Sequence, residues 1–297
     1  MKYRQNPSKR WMPTARTMVC MKLADGRFKR GETSVIVEKE LPIYVNGRHL
    51  ITASITPVME REFVTGYLFG QGFINSVDEI LSIAIGDDAA QVQLKDPEKI
   101  IKKTGGASYR IVSGGGRLAY SGEADLPVMS DHRRFRQQII YKAMNILFET
   151  ARMYRETEGV HAAGLFTADA SLVCIVEDIG RHNTLDKVIG YALINKVERG
   201  DTFLVSTGRM ASEMVAKICR AGIPLAATKT AVTDKGLETG EEHGLTIIGF
   251  VRDIGTHIHT DMAVRVIDRA GMKIYSGAER VPGEEPVSEN AREKHER

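Results

Sequence analysis

Apolar and polar residues alternate with a period of two over the first third of the chain, then give way to longer periods. Val35 to Val37, Leu41 to Val45 and Arg48 to Ala53 show the alternation of half-buried strands. Asn46-Gly47, between the last two, is the dipeptide that most favours a two-residue hairpin turn. Val58, Phe63, Val64, Tyr67 and Leu68 recur at helical spacing instead. They predict a helix with Thr56 as N-cap, Pro57 in its first position, and Gly70 and Gly72 where it stops. From Ser130 to Arg155 the pattern predicts one long amphipathic helix.

Beyond it strands and helices take turns. Ala162 to Thr167 and Leu172 to Val176 flank a turn at Asp169 and read as a hairpin, followed by a helix from Asn183 to Lys196. Strand Thr202 to Ser206, helix Ala211 to Ala221, strand Pro224 to Thr228, helix Lys235 to His243 and strand Leu245 to Val251 complete a βαβαβαβ series. Such an order demands a mostly parallel sheet covered by helices, so the fold class is α/β with a smaller strand-rich domain in front. The expected division is a basic arm over residues 1–16, a strand-rich domain with a glycine loop over 17–125, a larger domain over 126–277 and a charged, disordered tail over 278–297.

Composition narrows the function. Forty-one Lys and Arg against 38 Asp and Glu give a net charge of +3, too little for nucleic acid binding by bulk electrostatics, so any anion site must be local. The three cysteines, Cys20, Cys174 and Cys219, have no CxxC spacing, which fits a reducing, cytoplasmic compartment. No stretch approaches the ~20 apolar residues of a membrane span, and no apolar segment follows the basic N-terminus as a secretory signal requires.

Parallel sheets bind ligands beyond the carboxyl ends of their strands, where helix amino ends expose N–H groups. Four such turns each carry a cation: Arg181 with Gly180, His182 and Asn183; Arg209 with Ser206, Thr207 and Gly208; Lys229; and Arg252. Brought to one edge they would suit phosphate or pyrophosphate, with the hydroxyls of Ser206 and Thr207 adding hydrogen bonds and Gly180 and Gly208 permitting close approach. The alternative is that each cation decorates a solvated turn. His182 is either a ligand or acid/base group or a structural hydrogen-bonding residue. Asp186 and Lys187 read as an ordinary solvated pair. His257 and His259 lack carboxylate or cysteine partners, so no metal is assigned.

These residues carry a resemblance to the FdhD family, accessory proteins required for active molybdenum or tungsten formate dehydrogenases. The motifs are Glu158 to Ala163, the block Glu177-Asp178-Ile179-Gly180-Arg181-His182-Asn183-Thr184-Leu185-Asp186-Lys187, Ser206 to Arg209, and Gly222-Ile223-Pro224, with weaker support from Gly66 to Ile74 and Gly244 to Phe250. The resemblance implies a cytidine deaminase-like larger domain, a homodimer, and handling of the molybdopterin guanine dinucleotide cofactor or GDP-like nucleotides. It extends cofactor contact to Phe250, Val251, Arg252, Asp253, Ile254 and Gly255, and makes formate dehydrogenase a partner. Zinc deaminase chemistry is not expected, because the chain has neither a His-x-Glu nor a Pro-Cys-x-x-Cys motif.

Catalytic members of the family relay sulfur as a persulfide on a loop cysteine, taking it from a cysteine desulfurase. The corresponding stretch here holds Ser113, Gly114, Gly115 and Gly116, none able to form a persulfide, so no catalytic residue is assigned. Three readings stay open: a sulfurtransferase using another cysteine, a protein that binds and delivers the cofactor, and a nucleotide-handling enzyme of other chemistry on the same scaffold.

Overall fold

A computed structural model describes residues 14–96, 98–99, 109–111, 126–129, 133–252, 257–260, 263–266 and 270–283. Its elements begin with β1 (Ala15–Ala24), β2 (Arg27–Ile36), β3 (Lys39–Val45), β4 (Arg48–Ile55), α1 (Glu60–Gly70), β5 (Ile80–Ile85), β6 (Ala90–Leu94) and β7 (Tyr109–Ile111). They continue with α2 (Gln137–Thr150), α3 (Arg152–Thr157), β8 (His161–Thr167), β9 (Leu172–Asp178), α4 (Arg181–Ile194), β10 (Thr202–Ser206), α5 (Ser212–Ala221) and β11 (Leu225–Thr228). The series closes with α6 (Asp234–Glu242), β12 (Thr246–Arg252), β13 (His257–Thr260), β14 (Ala263–Val266) and β15 (Gly271–Ser276). Among the described residues no helix is long and apolar enough to cross a membrane.

The chain forms two compact units that are not consecutive stretches. The first joins the described residues up to Ile111 with Phe148–Ala163 and Cys174–Val197; the second joins Leu126–Leu147, Gly164–Val173 and the described residues from Glu198 onward. Two later segments, Phe148–Ala163 and Cys174–Val197, thus belong with the first unit.

In the first unit a five-stranded sheet runs in the order β5-β6-β3-β4-β7. The β3–β4 hairpin turns where expected: Val45 pairs with Arg48, and Asn46 (φ 47°) and Gly47 (φ 78°) take the left-handed conformation that a tight hairpin needs. Leu41, Ile43, Ile51, Phe63 and Leu68 are buried in its core. Helix α1 lies directly on α4. A Cβ added at Gly66 would overlap the Asp186 carbonyl, and one at Gly190 the Glu62 carbonyl, so the two backbones touch and only glycine fits the crossing.

Helix α1 starts later than Thr56. Its N-cap is Met59, in the left-handed region at φ 55°, with no side-chain cap. Thr56 is unavailable for capping because its N–H, hydroxyl and carbonyl are all bonded elsewhere in this unit.

The second unit is organised by parallel strands β10, β11 and β12 in a sheet ordered β15-β12-β11-β10-β8-β9. Phe203, Leu204, Val205, Leu225, Ala226, Ala227, Ile247 and Ile248 are all buried, the unbroken apolar runs of strands covered on both faces. Strand β15, which the sequence pattern did not announce, returns antiparallel beside β12.

Two expectations are corrected. The long helix over 130–155 is instead α2 followed by α3, separated at Ala151, whose ψ of 88° is not helical. The break is fixed from outside, since Glu177 accepts the Tyr154 N–H at 2.7 Å and also bonds the N–H groups of Met153 and Arg152, capping α3. Nor does disorder begin at residue 278. Ala278–Arg280 form a 3₁₀ turn, and the buried Arg280 guanidinium donates to Gly244 O (2.8 Å), Thr246 Oγ1 (3.2 Å) and Met129 O (3.3 Å).

Candidate functional site

The block from Glu177 to Lys187 spans the end of β9, a tight turn and the start of α4. At its centre is an ion pair with no solvent exposure on either side chain: Lys187 Nζ lies 2.6 Å from Asp178 Oδ2. The carboxylate also accepts from Thr56 N (3.0 Å), Gly180 N (2.9 Å) and Asn183 Nδ2 (2.8 Å), and the ammonium donates to Thr56 O (3.1 Å) and Glu177 O (3.4 Å). Every lone-pair direction of the one and every proton of the other has a partner, the condition under which buried charges are tolerated. Burial lowers the Lys187 pKa, and Asp178 acts against that shift.

Lys187 is therefore no solvated partner of Asp186. It locks the β9–α4 turn to the end of β4, with Asn183 Nδ2 also donating to Ser54 O at 2.8 Å and Ile179 N donating to Thr56 Oγ1 at 3.2 Å. Of the four ligand candidates in this turn, Gly180 and Asn183 are buried and serve the turn itself, whereas Arg181 and His182 are half-buried on the first turn of α4. His161, in the same unit, titrates below the usual histidine range because it is buried and then because Arg181 is positive, with Asp178 pulling the other way.

Three of the four cationic turns lie together in the second unit, at the carboxyl edge of β10, β11 and β12. Ser206 is in register with Thr228, and Ala227 with Ile248. The turns are bonded to one another: Lys229 N donates to Ser206 O (3.0 Å), Thr228 Oγ1 to Gly208 O (2.7 Å), and Phe250 N to Thr230 O (3.0 Å). Ser206 is fully buried and its hydroxyl accepts Gly208 N at 3.0 Å, so it stiffens the turn from within. Arg209 is exposed, and Lys229 and Arg252 are half-buried. Helix α5 opens just beyond, with Ala211 as an N-cap that offers no side-chain acceptor to its amino end.

Phe250 stands at a bulge between Gly249 and Arg252 with φ 54°, a conformation that costs energy for a side chain of its size. The Arg252 guanidinium lies 5.3 Å from its ring centroid and the Lys273 ammonium, from β15, 4.8 Å. Lys273 was missed in the sequence because an exposed cation on an unannounced edge strand carries no signal. Asp253, Ile254 and Gly255, and the loop segment Ser113, Gly114, Gly115 and Gly116, lie outside the described residues.

The cysteines are placed by burial. Cys174 and Cys219 are buried, and burial pushes the Cys219 thiol up to about 12, while Cys20, on β1, is half-buried. A thiol so raised is not a thiolate at neutral pH.

Comparison with known proteins extends this picture. The family model described as the FdhD/NarQ family matches residues 36–282, which includes the locked β9–α4 turn and the three cationic turns. The chain is 34% identical over 236 residues to the sulfur carrier protein FdhD of Methanothermobacter thermautotrophicus, covering 77% of this chain and 90% of that protein. It is 30% identical over 288 residues to the protein of the same name from Nocardia farcinica, covering 90% and 95%. A crystal structure described as a formate dehydrogenase accessory protein of Desulfotalea psychrophila superposes with a TM-score of 0.71 at 23% identity, covering 91% of this chain and all of that one, a likeness of fold. A match that spans both units and takes in the residues that fix their turns makes the chain a member of the FdhD/NarQ family.

Proposed function

We propose that the protein serves formate dehydrogenase as an accessory factor, holding the guanine dinucleotide form of molybdopterin by its phosphates at the carboxyl edge of β10, β11 and β12. The observation that carries this reading is the donor set at that edge. Arg209, Lys229 and Arg252 stand on three adjacent, mutually bonded turns, Lys273 adds a fourth cation from β15, and neither Ser206–Arg209, Thr228–Thr230 nor Gly249–Arg252 contains a carboxylate. A pyrophosphate placed there meets cations and the amino end of α5, whose first turn also carries Glu213. Phe250 offers an aromatic face beside them.

Sulfur carriage, which the names of the curated relatives state for those proteins, requires an accessible thiolate. Two of the three cysteines here are buried, which favours binding and delivery over relay. A homodimer belongs to the same family-based reading, and a cysteine desulfurase is a partner only where sulfur relay is retained. Incubation with a cysteine desulfurase and cysteine, followed by intact-mass analysis, is expected to give no persulfide; a +32 Da adduct on Cys20 would restore the relay. For the binding claim, fluorescent GDP is expected to bind the full chain about tenfold more weakly after Arg209→Ala or Lys229→Ala, each removing a charge-assisted contact of ~1.5 kcal/mol. Equal affinity in both variants and the parent rejects the site.

A further inference from the structure

The first two strands form a ribbon with an unusual surface. β1 and β2 pair over ten residues each, from Ala15↔Ile36 to Ala24↔Arg27, and constitute a sheet of their own. A two-stranded ribbon is marginal without something to pack on, yet both faces are open along most of its length. On one face stand Val19, Met21, Leu23 and Phe28, exposed by 56, 60, 61 and 69%. The opposite face carries Arg16, Met18, Lys22, Lys29 and Arg27 around Cys20 and Gly31. At the base, Arg16, Met18, Val35, Ile36, Val37 and Glu38 line a groove of about 250 Å³. The base is anchored, since Ile36 lies against Gly159 and Val37 N donates to Thr14 O at 2.8 Å. Helix α3 packs against β2, and among the described residues no strand pairs along the other edge of β1.

We propose that the ribbon docks an extended, acidic polypeptide segment of a partner protein, which adds as a third strand along β1. Charge selects this occupant. Arg16, Lys22, Arg27, Lys29 and Arg30 outnumber Asp25 and Glu32, so a second copy of the ribbon would be repelled, while an acidic strand is attracted. The edge selects a strand over a lipid surface. N–H and C=O groups of β1 that have no backbone partner among the described residues are satisfied by another backbone and not by acyl chains, and Asp25 at the very tip resists insertion. The alternation of β1 then dictates the partner's side chains: acidic residues opposite Arg16 and Lys22 on one face, apolar ones opposite Val19, Met21 and Leu23 on the other. None of these residues belongs to the proposed cofactor site, so failure of one claim leaves the other standing.

The test uses the full chain and a labelled peptide of about ten residues, the length of a strand, alternating glutamate with valine, read by fluorescence anisotropy. The expected result is saturable binding, absent when lysine replaces each glutamate. The Arg16→Glu/Lys22→Glu double variant is expected to weaken the acidic peptide at least tenfold and to gain binding of the lysine peptide. These side chains are exposed, and an unchanged melting temperature confirms that the variant is folded. Equal binding of both peptides, or no reversal in the double variant, overturns the proposal. So does sedimentation of the parent protein with phosphatidylglycerol vesicles that is lost in Leu23→Asp/Phe28→Asp, or a dimer that the same variant converts to monomer.

Discussion

Replacing Lys187 by Met isolates what the buried pair contributes. The substitution keeps the length of the side chain but removes the ammonium that contacts Asp178 Oδ2, Thr56 O and Glu177 O. Breaking a buried ion pair by deleting one partner costs about 3–5 kcal/mol, because the remaining charge is left without compensation. Asp178 retains the N–H donors of Thr56, Gly180 and Asn183, which places the loss near the lower bound, about 3 kcal/mol. With a urea dependence of ~2–3 kcal/mol per molar, the unfolding midpoint of the first unit is expected to fall by about 1 M or more. A chain of two units can unfold in two steps, so hydrogen exchange of the Ile179 and Gly180 amides, both donors in the network, supplies the local reading. A loss below ~1 kcal/mol, with exchange unchanged, would refute the view that this pair holds the turn.

Other expectations follow from the same geometry. Gly190→Ala forces a methyl into the Glu62 carbonyl, a backbone atom that cannot swing aside, and is expected to cost ~3 kcal/mol or more; an unaltered melting temperature contradicts the close helix crossing. His161 binds its proton less readily folded than unfolded, so its contribution to stability is full above the ordinary value of 6.5 and is lost as pH falls through the lowered folded value. NMR titration is expected to find the imidazole below 6.5 and to see it rise in Arg181→Ala, whereas no change there removes Arg181 as a cause. Asp169, bonded by the Thr167 hydroxyl and by the Ser171 N–H and hydroxyl in the β8–β9 turn, is held down to about 2. Its stabilisation is present above the ordinary aspartate value of 3.8 and is lost as pH falls through about 2; Asp169→Asn is expected to flatten that acid limb in a pH series of thermal melts.

Local rules explain which parts of this were legible. The Asn46-Gly47 hairpin and the β10 to β12 succession follow from turn chemistry and hydrophobic period, and the three cationic turns follow from that succession. What escaped depends on partners far away in sequence. Thr56 has the side chain of an N-cap, but its polar atoms answer Asp178, Ile179 and Lys187, more than a hundred residues on. The break at Ala151 is enforced by Glu177 from β9, not by a glycine or proline. Lys187 looked like a surface residue because charge is normally solvated. One signal could have exposed it: Asn183, Lys187 and Gly190 fall at i, i+4 and i+7 on one face of α4, a face of polar and small residues flanked by the buried Leu185, Val188 and Ile189.

Isothermal titration of the full chain with GDP, beside guanosine as the phosphate-free control, addresses the cofactor edge most directly. Cations on three adjacent turns predict saturable heat with the diphosphate that weakens as salt is raised, and little with the nucleoside. Heat that is flat with GDP, or equal for GDP and guanosine, would contradict a phosphate site at the ends of β10, β11 and β12.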